Sequence, residues 1–145
     1  MTNPSGSQAW HFAFRGVSTL EQPAGLTISP KGGIETAGHA ESVRQAILLL
    51  ICTRPGERVM RPEYGCSLFR LAFSPNDDTT AGLAIHYVSQ AIERWESRID
   101  ILRLNTNPDE LHPNRLEIHL QYRLRFRADT EHLSVFLDLR SGRAY

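Results

Sequence analysis

The 145-residue chain lacks most of the features that would define its class directly. Two cysteines can form at most one disulfide, which excludes a disulfide framework for this domain. Only one of the sixteen basic residues is lysine. Sixteen acidic residues balance the basic ones, which excludes the uniform positive field of a general nucleic-acid or membrane-surface binder. The longest apolar run covers residues 46–52, whereas a membrane-spanning helix needs about 20 apolar residues.

Motifs of common catalytic and cofactor sites are also missing. There is no Walker loop, HExxH, GxSxG or EF-hand pattern, and the six histidines are scattered without the i, i+4 spacing that favours zinc on one helix. Cys52 and Cys66 have no CxxC spacing, so we expect free thiols. We therefore expect no cofactor, no metal and no enzymatic activity. The first ten residues lack an export signal, which predicts a cytoplasmic product.

The hydrophobic content of 41% suits one soluble domain with its own core. Apolar residues at three- and four-residue intervals predict a first helix over residues 41–53. The following Arg54-Pro55-Gly56 predicts a type II turn, because proline suits its second position and glycine its third. Residues 57–60 fit a short strand, and the apolar residues 67–73 fit either a strand or a single helical turn.

A second helix is predicted after residues 76–79, which are strong N-cap types. Residues 99–106 are predicted as a strand, and residues 115–127 show the clearest pattern of the chain, with an apolar residue at every second position. A briefer alternation at 133–139 adds a third strand. The fold class is therefore α+β, a single domain with two helices packed on a small, largely antiparallel sheet.

The N-terminal part differs from the rest in composition. Residues 10–15, WHFAFR, read as a short strand or extended arm, and residues 16–38 are rich in proline and glycine and predict a long loop. We assign residues 1–40 to an arm and loop, 41–140 to the domain and 141–145 to a C-terminal tail.

Two groups of charged residues are candidates for function. A glycosidase needs two acids about 5–10 Å apart, and five acids are candidates, although nothing in the sequence brings any two together: Glu57, Glu63, Asp77, Asp78 and Glu96. Three arginines share one face of the long strand and are suited either to gripping phosphate or an acidic protein, or to protecting a solvated face: Arg123, Arg125 and Arg127.

The segment ILLLICTRPGERVMRPEYGCSLFRLAFSPND at residues 47–77, followed by AIERWESRIDI at 91–101, resembles a known family. This is the baseplate-wedge or sheath-initiator family, also called phage baseplate assembly protein W or "lysozyme-like", of contractile phage tails, contractile injection systems and type VI secretion baseplates. The resemblance extends from the aromatic residues near Trp10 to the closing strands near Leu139. The TRPGER block at residues 53–58 is its most specific part.

The resemblance implies a structural role rather than catalysis. Six copies are expected per particle, with sheath subunits, baseplate wedge proteins and inner baseplate or tube proteins as partners, and with neither nucleic acid nor membrane. The family's Glu-Pro-Arg signature, which is implied to contact the helical core bundle of the wedge, is matched here by Glu96 and Arg98, with Ser97 in place of proline.

Sheath assembly is expected to start by strand addition to an open sheet edge. We place this edge among residues 116–126 and 133–139. The alternative is a small peptidoglycan hydrolase in which Glu57 would be catalytic.

Overall fold

The computed structural model describes residues 9–10, 12–13, 25–26, 28, 30–33, 36–125 and 127–145. Contacts divide the chain into two compact units, Met1–Ala46 and Ile47–Tyr145. The predictions for residues 1–8, and much of the predicted loop at 16–38, lie outside the described residues.

Among its described residues, the first unit contains four two-residue strands. Strand β1 (Ala9–Trp10) pairs antiparallel with β4 (Thr36–Ala37), and β2 (Phe12–Ala13) pairs antiparallel with β3 (Gly25–Leu26). This agrees with the predicted extended arm for the residues of 10–15 that are described. Helix α1 (His39–Cys52) begins in this unit, close to the predicted start of the first helix.

The second unit contains the end of α1, a 3₁₀ helix, helix α2 and one sheet. In the sheet, each strand is antiparallel to its neighbour, in the order β5-β6-β7-β8. The α+β class is therefore confirmed, with two α-helices and a four-stranded antiparallel sheet. The elements are the 3₁₀ helix Ser67–Leu71, α2 (Asp78–Trp95), β5 (Ile99–Pro108), β6 (Arg115–Leu124), β7 (Thr130–Asp138) and β8 (Arg143–Ala144).

Helix α2 begins where the N-cap residues predict. The Asp77 carboxylate accepts a hydrogen bond from the backbone N–H of Thr80 at 2.8 Å, and this bond lowers the pKa of Asp77 below its ordinary value. Ala84, Val88 and Ile92 form the buried stripe of the helix, which contacts β5 and β6. The stripe thus covers the apolar face of the sheet.

Strand β6 provides the centre of that face. Its even-numbered residues, from Leu116 to Leu124, are almost completely buried, while the residues between them are at least partly exposed. Burying each large apolar side chain contributes about 1.5–3 kcal/mol, so a slip of one residue would expose the whole set. The predicted alternation is confirmed, although the strand ends at Leu124 rather than at residue 127.

The predicted strand at residues 57–60 is wrong, because this segment lies in a loop of successive turns. Arg61 donates its backbone N–H to the carbonyl of Arg58 at 3.2 Å, and no strand pairs with residues 57–60 among the described residues. Val59 is 95% exposed. The segment is therefore exposed loop rather than a half-buried strand.

The loop between α1 and the 3₁₀ helix is closed by backbone contacts. Glu57 donates its N–H to the carbonyl of Arg54 at 3.1 Å and Gly56 has φ +95°, which confirms the predicted type II turn. Cys66 then donates its N–H to the carbonyl of Thr53 at 2.9 Å, so the chain returns to the end of α1. Residues 67–73, which fitted a strand or a helical turn, are mainly helical.

The last strand was not predicted. Strand β8 lies within residues 141–145, which the sequence assigned to a tail, and pairs with β7 through Leu137–Ala144 and Asp138–Arg143. Two residues are too short for a periodic pattern. The turn before it is held by the Asp138 carboxylate, which accepts from the N–H of Arg140 at 2.9 Å and from the hydroxyl of Ser141 at 2.8 Å.

Gly65→Ala is expected to lower the free energy of unfolding by about 2 kcal/mol or more. Gly65 has φ +136°, and a Cβ there would lie 2.5 Å from the carbonyl oxygen of Thr53. Gly82→Ala in α2 is the control, because its Cβ would meet nothing within 4 Å and alanine favours a helix by about 1 kcal/mol over glycine. Urea denaturation should show opposite signs; equal effects would contradict the close packing at Gly65.

Candidate protein-interaction site

Glu96 and Arg98 form a two-point ion pair at the end of α2. Glu96 is the C-cap residue, and its carboxylate accepts from Nε and from Nη2 of Arg98, each at 2.7 Å. The Glu96 side chain is 8% exposed and that of Arg98 is 31% exposed. The hydrogen bonds to Glu96 raise the pKa of Arg98 above its ordinary value. Glu96 therefore orients the guanidinium, while part of the Arg98 side chain stays exposed to solvent.

The arginines predicted on the long strand meet an acid that the sequence analysis did not select. Asp100 on β5 accepts from Nε of Arg125 at 3.0 Å, and lies 3.6 Å from Nη2 of Arg123. Asp100 is the register partner of Arg123, so the antiparallel pairing of residues 99–106 with 115–127 was the signal that could have found it. All three side chains are well exposed, and such pairs contribute little stability.

Four of the five predicted partner-binding residues lie at one corner of the sheet. The backbone N–H of Arg125 donates to the carbonyl of Arg98 at 3.0 Å, which joins the Glu96–Arg98 pair to the Arg123 and Arg125 group. We call these four residues the arginine corner. Arg127 lies beyond the end of β6 and forms no ion pair with another described residue.

The five acids proposed for glycosidase chemistry have separate structural roles in most cases. Glu57 accepts from the backbone N–H of Arg54 at 3.0 Å, Glu63 pairs with Arg94, and Asp77 caps α2. Asp78 lies in the first turn of α2 and Glu96 holds Arg98. No two of them are bonded to a common group in the described part of the chain.

Depressions near the loop do not bring the acids together either. One of about 320 Å³ is lined by Glu63 together with Tyr87, Arg94 and Trp95. Another, of about 210 Å³, is lined by Glu57 but not by Glu63. Each therefore has a single acid in its wall, whereas a glycosidase cleft needs two.

The two cysteines are free, as predicted. Burial raises the pKa of each thiol to about 11, so little thiolate forms at neutral pH and neither is suited to nucleophilic chemistry. Among the described residues, no group of three or more histidine, cysteine or acidic side chains could hold a metal ion. Within the same residues no helix is long and apolar enough to cross a membrane.

The predicted open edge at residues 116–126 is wrong for β6. This strand pairs with β5 on one side and with β7 on the other, so its backbone groups are used within the sheet. The described edges are instead the outer side of β5, the two-residue strand β8, and the part of β7 that β8 does not cover, Thr130–Val135. The last of these overlaps the other predicted segment, 133–139.

Comparison with known proteins agrees with the resemblance found in the sequence. The family model described as "Baseplate wedge protein gp25" matches residues 37–129. The baseplate wedge protein gp25 of Enterobacteria phage T4 is 34% identical over 67 residues, which are 46% of this chain and 51% of that protein. The chain thus aligns with about half the length of this curated relative.

Two solved structures share the fold. A protein from Geobacter sulfurreducens, described provisionally as a tail lysozyme, is 34% identical with a TM-score of 0.66 and covers 71% of this chain and 93% of its own. A chain of the anti-feeding prophage baseplate is 24% identical with a TM-score of 0.66 and covers 84% and 90%, respectively.

The family match defines the class of the chain, a protein of the baseplate wedge. More particularly, the chain belongs to the gp25 family of baseplate wedge proteins, because the family model covers more than half of its residues.

Substitution at the Glu96–Arg98 pair is expected to be asymmetric. Arg98→Gln leaves a buried carboxylate without its cation and should cost on the order of 3 kcal/mol. Glu96→Gln should cost about 1 kcal/mol, because water can solvate the partly exposed Arg98. Urea denaturation of both single variants and the double variant measures the coupling. A larger loss for Glu96→Gln would contradict the assigned burial of the pair.

Proposed function

We propose that this chain starts sheath assembly on the baseplate by accepting a β-strand from an incoming sheath subunit. The observation that carries this proposal is the open part of β7, Thr130–Val135, in a member of a baseplate family. Strand addition provides backbone hydrogen bonds for groups that are otherwise left to water.

The pairing of β7 with β8 defines which groups are available. Phe136 exchanges both backbone hydrogen bonds with Tyr145, at 2.8 and 2.9 Å. Since outward and inward groups alternate along an antiparallel strand, Thr130, His132 and Ser134 direct their N–H and C=O groups to the same side as Phe136. An added strand would therefore bond to the outward backbone groups of β7 that β8 leaves unpaired.

The outer edge of β5 is less suited to this role. Its register shifts between Ile101 and Arg103, which marks a bulge at Leu102, and Pro108 has no N–H to donate. Bulges and proline are devices that protect sheet edges from pairing. The uncovered part of β7 has an uninterrupted register with β6.

The arginine corner is proposed as the contact with the wedge. Arg98 is held in one orientation by Glu96, which reduces the conformational entropy lost on binding, and its remaining N–H groups suit a carboxylate or the carbonyls at a helix C-terminus. This supports the implied contact with the helical core bundle of the wedge proteins. Ser97 is exposed, so the absence of the family's proline leaves the ion pair intact.

In the proposed role, the protein is present in six copies per particle and contacts inner baseplate and tube proteins. The particle is assembled in the cytoplasm. Arg125, whose backbone bonds to Arg98, and Arg123, which shares Asp100 with Arg125, extend the proposed wedge contact. Arg127 lies beyond the end of β6 and is proposed as a separate, peripheral contact. No nucleic acid, membrane or cofactor takes part in this proposal. Binding surfaces are sufficient for a protein that joins others.

Ser134→Pro is expected to abolish sheath recruitment while preserving the fold. It removes an outward N–H that β6 does not use, and proline is tolerated at a strand edge. Ser134→Ala controls for loss of the hydroxyl, which lies 3.0 Å from Nδ1 of His119, and should behave as wild type. Co-expression with the sheath and tube proteins, followed by electron microscopy of assembled particles, measures the effect.

Proline substitutions at two other positions test whether the added strand pairs with β7 or with the outer edge of β5. Leu133→Pro removes an N–H directed at β6 and should destabilise the protein itself, which thermal unfolding would show. Thr106→Pro alters the outer edge of β5. Loss of sheath assembly with Thr106→Pro but not with Ser134→Pro would transfer the role to β5, and normal assembly with both would overturn strand addition.

Peptidoglycan hydrolysis is the second candidate, because the relative from Geobacter sulfurreducens carries a lysozyme description. We propose that this chain is not an enzyme, since Glu57 and Glu63 line different depressions and most of the candidate acids are engaged in structural bonds.

The pure protein is expected to release no soluble fragments from isolated peptidoglycan, with hen egg-white lysozyme as the positive control. Glu57→Gln should give the same result as wild type. Hydrolysis by the wild type that disappears in Glu57→Gln would establish the enzymatic function instead.

A further inference from the structure

The solvent-facing side of the sheet carries a row of three polar side chains across its strands. Arg103 on β5 lies opposite Gln121 on β6, and Gln121 lies opposite His132 on β7. We call these three residues the central row. Residues directly opposite one another in antiparallel strands share a face and lie about 5 Å apart, so the row spans about 10 Å.

The row on either side contains side chains that bond to one another, whereas the central row contains none. On one side, His119 lies 3.0 Å from the hydroxyl of Ser134 and 3.3 Å from the carboxylate of Glu117. On the other side, Asp100 holds Arg123. Within the described part of the chain, the three side chains of the central row form no hydrogen bond or ion pair.

A depression of about 140 Å³ lies over this row and is walled on one side by Asn105, His119 and Ser134. A water molecule occupies about 30 Å³ of liquid, so the depression accommodates a carboxylate group with a few waters. It is smaller than the roughly 300–1,000 Å³ of sites for drug-sized ligands. Its ligand is therefore one functional group carried on a larger molecule.

The chemistry of the row favours an anion with a single charge. Arg103 is always cationic, the Gln121 amide donates two N–H bonds and His132 donates from at least one ring nitrogen. Glu117 and Asp100 lie on the same face, and their charges disfavour a phosphate dianion more than a carboxylate. The zero net charge of the chain likewise disfavours a polyanion.

We propose that the central row binds an aspartate or glutamate side chain of an acidic protein segment that docks on the solvent-facing side of the sheet. The carboxylate lies above Gln121, between Arg103 and His132. This site does not depend on strand addition, because it uses side chains on the face of the sheet rather than backbone groups at its edge.

NMR titration of the full-length isotope-labelled chain tests the proposal. The probe is a blocked pentapeptide with one aspartate among serine and glycine residues, and the signals are the ring of His132, the side-chain amide of Gln121 and Nε of Arg103. Saturable shifts of all three are expected. Inorganic phosphate at the same ionic strength should bind more weakly than the peptide.

Arg103→Gln should weaken peptide binding about tenfold, the loss of one charge-assisted contact. It should leave the melting temperature unchanged because Arg103 is exposed. Arg70→Gln on the 3₁₀ helix, also exposed, removes the same charge elsewhere and should bind as wild type. Absence of saturable shifts, or equal weakening by both variants, would overturn the site. Phosphate binding as tight as the peptide would overturn its assignment to a carboxylate.

Discussion

The burial of one face of β6 is the constraint on which the rest of the second unit depends. Leu116, Ile118, Leu120, Tyr122 and Leu124 are each no more than 2% exposed, and α2 lies over β5 and β6. Because the side chains of a strand alternate, the same register that buries this set places the polar residues on the opposite face. The central row and the arginines of the corner therefore take their positions from the packing of the core.

Periodic features were predictable from the sequence because they report burial directly. The helix ending at Cys52, the capped start of α2 and the alternation of β6 each follow from a local pattern that tertiary packing reinforces. The type II turn was predictable for another reason, since Pro55 and Gly56 restrict the backbone whatever surrounds them. Strand β8 contains two residues and is specified by its neighbour alone.

The failures have a common cause. Residues 57–60 fit a short strand locally, but a strand requires a partner, and the loop closed between Thr53 and Cys66 provides none. The edge assigned to residues 116–126 failed because strand order is a property of the assembled sheet. Glu96 and Arg98 were found through a family motif, whereas Asp100, which organises the neighbouring arginines, becomes visible only when the register of β5 and β6 is known.

The short strand β8 has a geometric consequence for any strand that joins β7. It pairs with β7 from Phe136 onward and so occupies one end of the outer edge of β7. A strand added to this edge would be blocked at that end and could pair only with Thr130–Val135. Sliding by two residues toward β8 would require expelling it. Strand β8 thus limits the register of an added strand. In a ring of identical copies, every added strand would begin at the same position along the ring axis.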